Sequence, residues 1–192
     1  MNWNTVRSGL PHDFRIFQVR TETKQSATSG VIHDFVVIDS VNWVNTVALT
    51  PDNRIVMVEQ FRHGTNAVEL EIPGGLIDAG DSSAIVAGER ELREETGYSG
   101  KPAQLLATTS PNPAIMSNQC HTVLVQNCSK LHDTAFDQTE ELVTHLIPVE
   151  EINRLVASGR IHHSIVLVAL YHFDLWRRGL KPEFTSTPSP RP

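Results

Sequence analysis

Short runs of β-branched and aromatic residues, separated by turn chemistry, dominate the first third of the chain. Residues 14–20 (FRIFQVR) and 31–38 (VIHDFVVI) flank the polar, Gly-containing connection TETKQSATSG and predict a hairpin. TVALT, the turn Pro51-Asp52-Asn53 and RIVMVEQF predict a second one. In residues 62–72, Val68, Leu70 and Ile72 alternate with Glu69 and Glu71 as a strand requires. The pattern then changes. Asp81-Ser82-Ser83 offers N-caps to a helix that Gly97 stops. Beyond it QLLATTS, HTVLVQNC and LVTHLIPV predict strands, and two helices follow, from Pro148 towards Gly159 and over about 161–178. Two prolines restrict the loop at 111–118. This order predicts an α+β architecture, a sandwich of helices on both sides of a mixed central sheet.

Composition narrows the class. At 192 residues and 40% hydrophobic, the chain has enough apolar material for one core. A net charge of -6 and no Lys/Arg run speak against a nucleic-acid or anionic-membrane surface. Cys120 and Cys128 are too few for a disulfide framework, and free buried thiols are expected. No signal-like h-region or membrane-length apolar run occurs, so a cytoplasmic protein is expected. The Pro/Ser/Thr-rich end, residues 180–192, is expected to be disordered.

The chemistry concentrates in residues 71–100, EIPGGLIDAGDSSAIVAGERELREETGYSG. Glu91, Glu94 and Glu95 stand at i, i+3 and i+4, so a helix puts three mutually repelling carboxylates on one side. They require either water around them or a cation between them. Pro73-Gly74-Gly75 before the helix lets backbone approach a ligand. Arg90, Glu91, Leu92, Glu94, Glu95, Gly97 and Tyr98 resemble the second half of the Nudix box, G-x5-E-x7-R-E-U-x-E-E-x-G-U. The first half departs from it: Asp81 replaces the glutamate, and eight residues instead of seven precede Arg90. The extra residue is expected in the loop, because inside the helix it would rotate Ile85 by about 100° away from Leu92.

The resemblance implies a Nudix-like α/β/α sandwich over residues 40–179, preceded by an N-terminal antiparallel strand pair, 1–39, that acts as a dimerisation arm. It implies a Mg2+ site, with Mn2+ as a substitute, made by Glu91, Glu94, Glu95 and the Gly74 carbonyl, all hard oxygen donors. Arg90 would pair with a box glutamate and hold its rotamer. Ala84, Ala87 and Gly88 either leave room for ions or simply favour the helix.

The stretch DQTEELV before LIPVEEI is similar to the part of ADP-ribose-cleaving Nudix enzymes that carries the general base, here Glu140, with Glu141 second. Glu59-Gln60-Phe61-Arg62 is similar to a strand end whose Arg contacts substrate. Glu69 and Glu71 either take ribose hydroxyls or point to solvent. Trp43 either stacks on a nucleobase or packs in the core. The nine histidines, including the adjacent His162 and His163, are read as structural or surface groups. The implied activity is hydrolysis of the pyrophosphate of ADP-ribose or another nucleotide sugar by a homodimer. Other nucleotide substrates and a non-catalytic nucleotide-sensing module are the alternatives.

Overall fold

The computed structural model describes residues 1–136 and 141–180. Glu140, the first choice for the general base, and the tail from residue 181 lie outside the described residues. The chain forms two compact units, Met1–Trp43 with Thr109–Cys120, and Val44–Thr108 with the chain from His121 onward.

In the first unit, β1 (Trp3–Ser8), β2 (His12–Asp13), β3 (Phe17–Ser26) and β4 (Ile32–Ser40) form a four-stranded antiparallel sheet. The expected hairpin is β3–β4, but its pairing runs from Phe17↔Ser40 to Gln25↔Ile32, so most of the polar connection is strand. Polar contacts replace the apolar signal there: across the pair Thr23 Oγ1 donates to Asp34 at 2.6 Å, and along β3 itself Glu22 accepts from Arg20 at 2.9 Å and from Lys24 at 2.8 Å. Those two cations, Lys24 first, hold the Glu22 carboxyl below its usual range. The strand pair expected over 1–39 is thus a larger unit. It reaches Trp43 and includes a return segment, where the Ile38 N–H meets the Ile115 carbonyl at 2.7 Å and Ser117 Oγ donates to Asp39 at 2.7 Å.

The second sheet has seven strands. β5 (Trp43–Leu49) and β6 (Arg54–Arg62) are the second expected hairpin, turned by residues 50–53 with Asn53 at φ 62. β7 (Ala67–Glu71) pairs with β6, and β8 (Gly74–Leu76) pairs with β5. α1 (Ala84–Thr96) follows. β9 (Tyr98–Ser99) pairs with β12 (Ser129–Lys130) as a small separate ladder. β10 (Gln104–Thr109), β11 (Cys120–Gln126) and β13 (Leu142–Pro148) complete the order β10-β11-β5-β6-β13. α2 (Val149–Ala157) and α3 (Ser164–Arg177) end the described chain, α3 starting three residues later than the periodicity suggested.

β5 and β6 are covered on both faces, which is why they read as nearly continuous apolar runs. Val47, Ile55 and Met57 pack with Ile152 of α2 and with Val166, Ala169 and Phe173 of α3. Their neighbours Val44, Ala48 and Val56 pack with Ala87 and Leu92 of α1. The α/β/α layering follows directly from that alternation.

Candidate active site

α1 is held at both ends by its own sequence. Ser83 caps its first turn by accepting from the Val86 N–H at 3.2 Å, and Gly97, at φ 75, returns its N–H to the Arg93 carbonyl. Asp81 therefore lies in the loop before the helix. Gly88 faces the sheet: an added Cβ would stand 2.8 Å from Thr46 Oγ1, and the Gly88 carbonyl accepts that hydroxyl at 2.9 Å. With Ala87 fully buried in the core as well, these small residues serve helix-to-sheet packing and not space for ions.

The turn and the helix converge. The Gly74 N–H donates to Glu95 Oε2 at 3.1 Å, and a Cβ on Gly75 would lie 2.5 Å from Glu91 Oε1. Gly74 is itself wedged against β5, where a Cβ would meet the Val44 carbonyl at 2.3 Å. Backbone thus reaches two box carboxylates because neither residue has a side chain. Glu95 is only 3% exposed.

Arg90 ties this arrangement together. It forks onto Asp81 at 2.9 and 3.2 Å, reaches Glu91 at 3.0 Å and Glu94 at 3.1 Å, and donates to the Leu76 carbonyl at 3.1 Å. The Asp81 hydrogen bonds above all, with Glu91 and Glu94, hold the guanidinium above its usual range, and Arg90 in turn holds Asp81 below its own. Asp81, shorter than glutamate, is an anchor for Arg90 and for the loop, whose Asp78 N–H it accepts at 2.9 Å. As they stand, no group of three His, Cys, Asp or Glu among the described residues is disposed to hold a metal ion. Glu91 and Glu94 are engaged with Arg90, and Glu95 with Gly74. The donor set nevertheless suits a hard cation: three carboxylates and the carbonyls of an adjoining turn, all oxygen, on elements already in contact.

A second polar cluster lies on β6 and β7. Glu69 and Glu71 are buried, 4% and 2% exposed, which removes the solvent-facing alternative; Val68 is exposed. Arg62 forks onto Glu71 at 2.7 and 3.0 Å, and His163 Nδ1 reaches the same carboxylate at 2.7 Å. Burial pushes the Glu71 carboxyl up, but the His163 and Arg62 hydrogen bonds together outweigh it and hold the pKa at about 2. Glu69 accepts from Thr65 Oγ1 at 2.9 Å and faces His162 Nε2 at 3.0 Å. The sequence alone marks both histidines only as structural or surface groups. They sit in the turn before α3, where neither helix nor strand periodicity decides their direction, so no sequence signal pairs them with β7.

Glu141 is exposed and immediately precedes Leu142, which pairs with Gln60 near the Arg62 end of β6. Trp43 opens β5 as part of the first unit, half-buried, its N–H donating to the Gln119 carbonyl at 2.8 Å.

Residues 42–167 match the NUDIX domain. The chain belongs to the Nudix family. This Nudix chain is 29% identical over 133 residues to the methanol dehydrogenase activator of Bacillus methanolicus, covering 69% of this chain and 71% of that one. It is 28% identical, over the same length and shares, to the ADP-ribose pyrophosphatase of Bacillus subtilis. Its fold matches a crystal structure of an ADP compounds hydrolase with TM-score 0.82 at 22% identity, covering 93% of this chain and 96% of that one. Family and box make the protein a Nudix pyrophosphohydrolase. Among the described residues, no helix is long and apolar enough to cross a membrane.

Proposed function

We propose that this Nudix enzyme hydrolyses, with Mg2+, the pyrophosphate bond of ADP-ribose or a related nucleoside diphosphate sugar, releasing a nucleoside monophosphate and a sugar phosphate. The observation that carries the reading is the approach of the Gly74-Gly75 backbone to Glu95 and Glu91, which joins turn and helix into one oxygen-rich surface. The ADP-ribose pyrophosphatase of Bacillus subtilis, similar over 69% of this chain, supports the choice of substrate.

Glu91, Glu94, Glu95 and the Gly74 carbonyl would hold Mg2+, with Mn2+ as a substitute. When bound, the ion neutralises the diphosphate and acidifies a water for in-line attack. Arg90 steadies Glu91 and Glu94 while Asp81 anchors Arg90. Arg62 takes the substrate from the strand side, with Glu69 and Glu71 beside it on β6 and β7. Glu140, or Glu141 beside it, accepts the proton of the attacking water.

The reading includes a homodimer in the cytoplasm. Supporting the dimer, Trp3 and Phe35 meet edge to face at 5.2 Å, yet both stay exposed, as do Ile32 and Val36 on the same sheet. Supporting the cytoplasm, Cys120 and Cys128 are free thiols.

A panel of ADP-ribose, nucleotide sugars, nucleoside triphosphates and dinucleotide polyphosphates, assayed with Mg2+ for released monophosphate, tests the function. ADP-ribose or a nucleotide sugar should be turned over fastest, and Glu95→Gln should abolish turnover without changing the fold. Preference for another nucleotide would replace the substrate, and binding without product would make the protein a sensor.

A further inference from the structure

The C-terminal turn of α1 is closed by a distant part of the chain. Glu94 and Glu95, two of the three box carboxylates, stand within its last three residues, where intrahelical hydrogen bonding runs out and helices fray. The Tyr98 N–H, which a continuing helix would give to the Glu94 carbonyl, donates to Thr96 Oγ1 at 3.1 Å instead. Its place is taken by the Ala135 N–H, which meets the Glu94 carbonyl at 2.8 Å. Just past the helix, the Gly97 carbonyl accepts both the Leu131 N–H at 2.9 Å and the His132 N–H at 3.0 Å. Residues 131–135, entered from β12 where Ser129 pairs with Ser99 and Lys130 with Tyr98, thus clasp the end of the box helix.

The residues of this clasp are exposed, Leu131 at 66%, so backbone hydrogen bonds and not burial hold it in place. Those bonds need a close approach. A Cβ on Gly97 would lie 2.2 Å from the His132 carbonyl oxygen. Gly97 is therefore required twice: for its φ of 75, which asparagine also adopts, and for the missing Cβ, which no other residue offers.

We propose that Gly97 and the clasp it admits are positioning elements for the metal site: the Ala135 N–H on the Glu94 carbonyl keeps the last turn of α1 wound, so that Glu94 and Glu95 meet a divalent cation already in place. The inference deepens the function above and rests on the reading of Glu94 and Glu95 as metal carboxylates. A frayed turn must be rewound before its carboxylates can bind, so a turn wound about one-tenth of the time binds about tenfold more weakly. The coupling is reciprocal: whatever the clasp adds to cation affinity, a bound cation adds to the hold of the clasp.

The test uses the full chain, with Mn2+ alone as the probe and no substrate. Titration followed by electron paramagnetic resonance should show Mn2+ bound about tenfold more weakly by Gly97→Ala and Gly97→Asn alike, because both add the colliding Cβ although asparagine preserves the helix stop. Ala135→Pro, which lacks the N–H, should weaken binding by a similar factor. Wild-type affinity in Gly97→Asn would make Gly97 a helix stop only, and wild-type affinity in Ala135→Pro would leave the clasp a structural role that lowers the melting temperature alone; either result overturns the proposal. Hydrogen exchange on the wild type needs no variant to fold: saturating Mn2+ should slow exchange at the Leu131, His132 and Ala135 amides about tenfold, the factor that reciprocity demands, and no slowing there would equally overturn it. A wild type that binds no Mn2+ removes the metal reading and the proposal with it, whereas Mn2+ bound equally by wild type and all three variants removes the clasp's role and leaves the metal reading standing.

Discussion

The Glu71 carboxylate makes a quantitative demand on the pH dependence of stability. It is 2% exposed, and its contacts with His163 and Arg62 bring its pKa from 4.5 to about 2. A native pKa below the unfolded value stabilises the fold above the unfolded value, and that contribution is lost as pH falls through the native one. The displacement corresponds to at most about 3 kcal/mol, since both partners are part-exposed and solvent screens them. Glu71→Gln keeps the volume and removes the titration. Urea unfolding of wild type and variant should therefore differ by about 2–3 kcal/mol at pH 7, by about half of that near pH 3, and hardly at all near pH 2. Other carboxylates with lowered values, such as Glu22 and Asp81, titrate in both proteins and cancel in the difference. A gap that stays constant from pH 7 to pH 3, or no gap at pH 7, would refute the assignment of Glu71 as a buried anion stabilised by its two partners.

The two glycines of the turn should separate fold from chemistry. Gly74→Ala drives a Cβ to 2.3 Å from the Val44 backbone carbonyl and should lower the melting temperature sharply, whereas Gly75→Ala meets only the movable end of Glu91 and should cost activity with little change in melting. Equal losses of stability would contradict that distinction. Arg90→Ala leaves Asp81 and Glu91 without their shared cation and should destabilise by about 2–4 kcal/mol; Arg90→Lys should recover little, because an ammonium cannot span the Asp81 fork and Glu91 together. Chemical denaturation of both variants measures this. Light scattering at micromolar concentration should give twice the chain mass, and substituting Phe35 and Val36 by Ser should yield the monomer; a wild-type monomer would remove the dimer.

Much of the fold and half of the site are local properties of the chain. Turn chemistry at residues 51–53, the Ser83 cap, the Gly97 stop and the i, i+3, i+4 spacing of Glu91, Glu94 and Glu95 need only neighbours a turn away, so periodicity and short-range sterics set them. The box resemblance drew on the same stretch. Three outcomes needed the tertiary structure. β3 is a polar strand whose partners on β4 lie up to 23 residues away, as with Phe17 and Ser40, so no local apolar alternation marks it. Gly88 proved to be a packing glycine because Thr46, 42 residues earlier, occupies the space beside it. His163 meets Glu71 across 92 residues, and the partners of two adjacent histidines in a turn are fixed by how α3 docks on the sheet. A sequence specifies which groups a local element displays; long-range packing specifies which of them meet, because burial rewards contacts without regard to their separation along the chain.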